Sequence, residues 1–168
     1  VDDELYINNH LIGVRNVEEG CDYTLKSKTK GVADGVFGYV YINTLTIPEG
    51  VHSISQEAFG DCSIVNLILP KSLYYLGKYN LNSYNVDYIF YMGSEDDWSY
   101  IERCDKNQVY EEKTIHFGTT EHTLEWREAY PPTTASEGLR QHKCIVCDYV
   151  DEFETIPMLS GFNFISNN

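Results

Sequence analysis

Apolar residues recur along this chain at a constant spacing of 22 residues. Four short apolar runs align without a gap, and they are Tyr23-Thr24-Leu25, Leu45-Thr46-Ile47, Leu67-Ile68-Leu69 and Ile89-Phe90-Tyr91. Two more apolar columns follow the first three runs in register, and they consist of Val32, Ile54 and Leu76, then Phe37, Phe59 and Leu81. One coil with this pattern cannot bury its own apolar face, whereas a second coil stacked on it can, so the pattern predicts a solenoid.

The period lies within the range of roughly 20–29 residues that is typical of leucine-rich repeats. We therefore predict a mostly β leucine-rich-repeat solenoid with 22-residue coils and short helical turns. Pro48 and Pro70 share one column just after a predicted strand, where proline ends the hydrogen-bond ladder and lets the chain turn. The columns also predict one continuous core, made of Leu25, Leu45, Ile47, Val51, Ile54, Phe59, Leu67, Leu69 and Leu76.

Three segments are predicted along the chain. Residues 1–19 form a hairpin cap, because two short apolar runs flank Asn8-Asn9, a pair typical of a tight turn. Residues 20–118 contain the leucine-rich repeats and a closing segment, and residues 119–168 form a small Cys-x-x-Cys β module with a loosely held tail.

The closing segment contains a helix-start signal. Ser94 is followed three residues later by Asp97, a spacing that favours an N-terminal cap with acidic residues near the positive end of the helix dipole. Trp98 and Ile101 are expected to fold back and cover the open end of the solenoid.

The charge balance limits the partners of the protein. The chain has 26 acidic and 12 basic residues and a formal net charge of −14, which repels nucleic acid and attracts basic ligands or protein surfaces. No apolar run approaches the roughly 20 residues that cross a bilayer, so membrane insertion is not predicted. The chain begins at Val1, and the lack of a signal peptide therefore carries no conclusion about export.

Five cysteines do not make a disulfide framework by count, but two of them have a metal-binding spacing. Cys144 and Cys147 are spaced as in a zinc knuckle, and His122 and His142 are candidates for the remaining ligands. Two alternatives stay open: a local disulfide between the two cysteines, or two reduced thiols and no cofactor. In the last case, packing around Trp126 and Ile156 would hold the module together.

Several segments resemble the BspA-type leucine-rich repeats of bacterial surface proteins. They are Leu45-Thr46-Ile47-Pro48-Glu49-Gly50-Val51, Ile54, Glu57-Ala58-Phe59 and Cys62, and the resemblance extends over about residues 5–103. The C-terminal segment resembles a second module of such proteins through His122-Thr123, Trp126, Glu137-Gly138-Leu139, Cys144-x-x-Cys147 and Glu154-Thr155-Ile156-Pro157. That module usually has another cysteine near the position of Thr134, which this chain lacks. The two resemblances imply an exported or surface-attached recognition protein with no known catalytic activity.

We accordingly predict a secreted or cell-surface adhesion module that binds a host or bacterial surface protein or a glycan through its repeat sheet. Alternate residues of a strand face opposite sides, so Thr24, Thr46, Ile68 and Phe90 are expected on the exposed face, with an apolar patch toward Phe90. No HExxH pair, Gly-x-Ser-x-Gly elbow or phosphate-binding glycine loop is present, and an enzyme is not predicted. A structural stalk that displays other domains and a glycan hydrolase remain the alternatives.

Overall fold

The computed structural model describes residues 4–81, 85–103 and 114–160 of the chain. The chain divides into two compact units, residues 1–121 and residues 122–168, and each is described by itself. Cys104 and the predicted tail beyond residue 160 lie outside the described residues.

The first unit contains eleven described strands and one short helix. They are β1 (Glu4–Ile7), β2 (His10–Val14), β3 (Cys21–Thr24), β4 (Gly31–Val32), β5 (Tyr41–Thr46), β6 (Ser53–Ile54), β7 (Ser63–Leu69), β8 (Tyr75–Leu76), β9 (Val86–Tyr91), α1 (Glu95–Ser99), β10 (Glu102–Arg103) and β11 (Ile115–Phe117). Each repeat coil contributes one longer strand and one two-residue strand, so a broad sheet and a narrow sheet run along the stacked coils.

The broad sheet follows the predicted period. Its strand order is β11-β9-β7-β5-β3, with all neighbours parallel. Leu45 pairs with Leu67, and Leu67 pairs with Ile89, so each coil stacks on the next with the same residue positions aligned. The predicted leucine-rich-repeat solenoid is confirmed. Strand β11 extends this sheet beyond the last predicted repeat strand.

The narrow sheet has the order β1-β2-β4-β6-β8-β10. Strands β1 and β2 form an antiparallel hairpin whose turn residues, Asn8 and Asn9, have positive φ angles of 48° and 64°. Asparagine tolerates this left-handed conformation better than most residues, which explains the tight turn. Strand β2 then pairs in parallel with β4, so the hairpin supplies the first strand of the narrow sheet.

A single apolar core lies between the two sheets. All nine predicted core residues are at most 2% exposed and belong to one cluster, and they are Leu25, Leu45, Ile47, Val51, Ile54, Phe59, Leu67, Leu69 and Leu76. The rings of Phe37 and Phe59 in adjacent coils are 5.8 Å apart. The sequence prediction of a continuous core is confirmed.

Two asparagines are buried in the third repeat, and Asn80 stands where Ala58 stands one coil earlier. Asn80 is fully buried, and its amide Nδ2 donates to the carbonyl oxygens of Ser55 at 2.6 Å and Gly77 at 3.0 Å. Its Oδ1 accepts from the backbone N–H of Phe59 at 3.3 Å, while Asn85 Nδ2 donates to the Phe59 carbonyl at 3.0 Å. Asn80 thus supplies partners to the Phe59 N–H and the Ser55 carbonyl, and Asn85 adds a second donor to the Phe59 carbonyl, which also accepts from the Cys62 N–H at 3.3 Å.

Helix α1 begins at the predicted cap residue and is followed by β10 and β11, which extend the two sheets. Ser94 is its N-cap: its hydroxyl accepts from the Asp97 N–H at 3.1 Å, and the Asp97 carboxylate accepts from the Ser94 N–H at 2.9 Å. This reciprocal capping box holds a helix of only five residues. Trp98 is 6% exposed and packs on Tyr91 with a ring distance of 5.0 Å.

The second unit is a three-stranded antiparallel sheet, β12-β13-β14, with β12 at Leu124–Tyr130, β13 at Gly138–Cys144 and β14 at Val150–Ile156. Among its described residues, Cys144 is the only buried apolar side chain. Trp126 is 39% exposed, and Ile156 is partly exposed. Trp126 stacks on the His142 ring at 5.0 Å, and the expectation that packing around Trp126 and Ile156 holds the module stays a prediction.

Candidate functional site

The outer face of the broad sheet carries the predicted binding column. Thr24 pairs with Thr46, which pairs with Ile68, so these side chains lie side by side across three strands. Thr24 is exposed, and Thr46 and Ile68 are partly exposed. Their backbone neighbours Leu45 and Leu67 are fully buried, which is the alternation expected of a strand with one face on the core.

Phe90 continues this column but is not available to a partner. It pairs with Ile68 on one side and with His116 on the other, and it is 1% exposed. Its ring stacks on the His116 imidazole at 4.7 Å. The expected apolar patch toward Phe90 is therefore wrong, because β11 adds a strand beside β9 that the repeat pattern did not reveal.

A second outward column makes the rest of the face polar. Asp22, Thr44, Asn66 and Tyr88 are aligned by the same strand pairing, and none of them is buried. Asp22 accepts a 2.7 Å hydrogen bond from the Asn43 side chain, which links the first two coils at the surface. Together with Thr24, Thr46 and Ile68, these four residues form what we call the outer repeat face.

An open groove of about 580 Å³ lies in the first unit at the starting ends of β5 and β7. Its lining includes Glu19, Tyr39, Tyr41, Asp61 and Ser63. Tyr39 is 89% exposed and Tyr41 is 45% exposed, so two aromatic rings are presented beside two carboxylates. The chain contains 14 tyrosines, a residue type suited to recognition surfaces, but the repeat columns do not mark these two positions.

The cysteine pair of the second unit lies at the turn that follows β13. Cys144 is the last residue of β13 and is 1% exposed, whereas Cys147 is partly exposed in the turn before β14. The Val146 N–H donates to the Cys144 sulfur at 3.4 Å. Both thiols are free, so the local disulfide is not what the structure shows.

His122 is brought to this turn by strand pairing. Leu124 pairs with Cys144, and the Ile145 N–H donates to the Thr123 carbonyl at 2.9 Å. These contacts place His122, the next residue toward the N-terminus, beside the cysteines. The His122 Nδ1 is 3.4 Å from the Cys147 sulfur. The His122 ligand nitrogen and both sulfurs lie within 4.8 Å of one another.

His142, the other predicted ligand, has a different environment. Its Nδ1 is 2.9 Å from Asp151 Oδ1, and its ring stacks on Trp126 at 5.0 Å. It is not a member of the group of close metal-ligand atoms that contains Cys144 and Cys147. Strand pairing sets this environment, because β14 lies beside β13 with an irregularity between His142 and Lys143, and Asp151 of β14 lies within hydrogen-bond distance of the His142 ring.

The two thiols have different proton affinities. Burial raises the pKa of Cys144, but hydrogen bonds from the backbone of Val146 and Cys147 more than offset it, and the net pKa lies below the ordinary thiol value. Burial raises the pKa of Cys147 to about 11, and the interaction with Cys144 also raises it. The turn therefore favours one thiolate, on the more buried sulfur.

The fold and the outer face together define a class of protein, a parallel β solenoid of leucine-rich repeats whose coils present an aligned outer surface. Within that class, the family described as BspA type Leucine rich repeat region matches six copies over residues 21–103. Those residues belong to this family, as the sequence resemblance predicted. The match ends at residue 103, so the resemblance of residues 119–159 to a second module stays a prediction.

No curated protein and no solved structure matches the chain significantly. Within the described ranges, no helix has the length and apolar character required to span a bilayer.

Proposed function

We propose that the protein is a non-catalytic recognition module, secreted or held at the cell surface, that binds a protein or a glycan through the outer repeat face. The observation that supports this proposal is the alternation along β5 and β7. Leu45 and Leu67 are fully buried, whereas Thr46 and Ile68, the residues that directly follow them, are partly exposed. The core therefore holds a regularly spaced outer surface in place.

The chemistry of this face suits recognition better than catalysis. Threonine, asparagine and aspartate side chains supply hydrogen-bond donors and acceptors, and Ile68 and Tyr88 add apolar contact area. Because these groups lie on a hydrogen-bonded sheet, little conformational entropy is lost when a partner binds them. The net charge of −14 further favours a partner with basic groups.

The groove beside Tyr39 and Tyr41 extends the candidate surface. Tyrosine provides a large contact area with few rotatable bonds, and Glu19 and Asp61 flank the two rings as acceptors. We include this groove in the proposal as the edge of the outer repeat face, since Tyr41 and Ser63 begin the strands that form the face.

The test begins with the purified full chain on an array of glycans and of host and bacterial surface proteins. For each ligand found, affinity is measured for Ile68→Ser and for its matched control Ile12→Ser, which removes an isoleucine that is 44% exposed on β2. Tyr39→Ser is paired in the same way with Tyr100→Ser, because these tyrosines are 89% and 85% exposed. We expect about a 5- to 30-fold loss for Ile68→Ser or Tyr39→Ser, equivalent to roughly 1–2 kcal/mol, and little change for the controls.

Equal losses in the test and control variants would refute the outer repeat face as the binding surface. Failure of the full chain to bind any array member would instead favour the stalk alternative, in which the repeats only carry another part of the protein. Turnover of an arrayed polysaccharide, abolished by a single carboxylate substitution, would favour the hydrolase.

A further inference from the structure

We propose that His122, Cys144 and Cys147 form a binding site for a zinc-like divalent metal ion that holds the second unit together. The three side chains come from two places in the sequence and meet at one turn. This inference concerns the second unit alone and does not depend on the ligand of the outer repeat face.

The donor distances fit a single ion. Zinc–sulfur bonds are about 2.3 Å and zinc–nitrogen bonds about 2.0–2.1 Å, so donors of one tetrahedral ion lie about 3.3–3.8 Å apart. Cys147 Sγ and His122 Nδ1 are 3.4 Å apart, within that range. All three donor atoms lie within 4.8 Å of one another, so only small side-chain rotations are needed to reach a common ion.

The surroundings orient the ligands as a metal site requires. The His122 ring lies flat on Tyr149, with a centroid distance of 4.1 Å and an interplanar angle of 8°, which restricts its rotation. The Cys144 N–H donates to the Tyr149 carbonyl at 2.9 Å, so the residue that supports the imidazole is also tied to the cysteine turn. The Val146 N–H that points at the Cys144 sulfur at 3.4 Å would stabilise a metal-bound thiolate.

A physical need for the ion comes from how little apolar side-chain surface the described part of the second unit buries. Within the described part of the second unit, Cys144 is the only buried apolar side chain. The unit spans residues 122–168, and domains below about 70–80 residues are commonly reinforced by a disulfide, a metal or a partner chain, because they bury little apolar surface. Since Cys144 and Cys147 are free thiols, a bound ion is the cross-link that remains available to these side chains.

The chemistry of the donors selects the ion. Two thiolates and one imidazole are soft to borderline ligands that prefer zinc and similar ions to magnesium or calcium. The three side chains leave one position of a tetrahedral ion for water or another donor.

The test uses the full chain in reducing buffer. Metal content is first measured by elemental analysis of protein purified without added metal. Protein stripped with a chelator is then titrated with cobalt(II), whose absorption reports both thiolate ligation and tetrahedral geometry. We expect one ion per chain, with thiolate-to-cobalt absorption for the wild type and for His142→Gln, a control that keeps all three proposed ligands.

The ligand variants make the result specific. Cys144→Ser, Cys147→Ser and His122→Ala should each weaken cobalt binding by more than about 100-fold, since loss of a mere supporting group already costs about 10–100-fold. Cys21→Ser changes a partly exposed thiol of the first unit and should bind as the wild type does. As a control for folding, the thermal unfolding of the first unit is measured in every variant, and we expect the repeats to remain folded.

A second readout does not depend on affinity. In amide NMR spectra of the full chain, chelation should collapse the dispersed signals of residues 122–160 and leave those of the buried repeat core in place. The proposal is overturned if stripped protein binds no cobalt at stoichiometric concentration and chelation leaves the NMR signals of the second unit unchanged. It is also overturned if His122→Ala and Cys144→Ser bind as tightly as His142→Gln.

Discussion

Replacing Phe59 with alanine tests the stacking of the repeat coils more directly than any other single change. Phe59 is fully buried and lies 5.8 Å from the ring of Phe37 in the preceding coil. Its backbone is held independently, because its N–H donates to Asn80 and its carbonyl accepts from Asn85. The surrounding turn therefore cannot collapse freely into the space that the ring leaves.

The expected cost follows from two terms. Loss of the burial of a phenylalanine side chain costs about 1.5–3 kcal/mol. A residual cavity of about 100 Å³ adds about 2.4 kcal/mol at 24 cal/mol per Å³. The sum is about 4–5 kcal/mol, within the usual range of about 3–5 kcal/mol for Phe→Ala in a core.

The assay follows urea unfolding by tryptophan fluorescence in a Trp126→Phe background. The chain has two tryptophans, so Trp98, which is 6% exposed in the first unit, becomes the sole reporter. With a slope of about 2 kcal/mol per molar urea, the midpoint should fall by about 2 M. The control is Tyr39→Ala, which removes an aromatic ring that is 89% exposed and should change stability by less than about 0.5 kcal/mol. A loss below about 1 kcal/mol for Phe59→Ala would refute the core assigned to this column.

Three further changes test other parts of the first unit. Gly77→Ala should destabilise it by roughly 1–3 kcal/mol in the same urea assay, because an added Cβ would be 2.4 Å from the backbone nitrogen of Gln56; a neutral result would mean that adjacent coils are less closely packed. Asn80→Ala should lower the free energy of unfolding by at least about 1–3 kcal/mol, since it leaves buried backbone groups without the hydrogen bonds that Asn80 makes. A loss as small as that of a substitution at an exposed site would argue against the buried network. Hydrogen bonds from Ser94 lower the Asp97 pKa from 3.8 to about 2, so the stabilising effect of its carboxylate is present above pH 3.8 and is lost as the pH falls through about 2. The difference in unfolding midpoint between wild type and Asp97→Asn should therefore shrink over that window, and a difference independent of pH would contradict this capping role.

The core was predictable from the sequence because the repeat makes it a local property. Leu45, Leu67 and Ile89 occupy equivalent places in coils of equal length, so their spacing alone stacks them. Helix α1 was predictable for a similar reason, since the side chains of Ser94 and Asp97 form hydrogen bonds within its first turn. Neither inference required knowledge of which distant segments meet.

The two wrong expectations at the candidate sites, by contrast, depended on contacts between distant segments of the chain. Phe90 has the same strand position as Ile68, and its burial depends on β11, a strand without the repeat pattern. His142 is close to Cys144 in sequence and on the same strand, yet it lies outside the group of close ligand atoms, whereas His122 Nδ1 is 3.4 Å from the Cys147 sulfur. In both cases the outcome is decided by strand pairing between segments that the local sequence does not link.

Asn80 shows how a break in a repeat can be a functional part of the fold. In the preceding coil the equivalent residue is Ala58, which is fully buried and needs no polar partner. An apolar residue at position 80 would keep the pattern but leave the Phe59 N–H and the Ser55 carbonyl without the side-chain bonds that Asn80 makes. Since a buried backbone group without a partner costs about as much as a lost hydrogen bond, a polar side chain is favoured here over a better match to the repeat. The irregular position therefore marks one place where adjacent coils are joined by buried side-chain hydrogen bonds in addition to apolar packing.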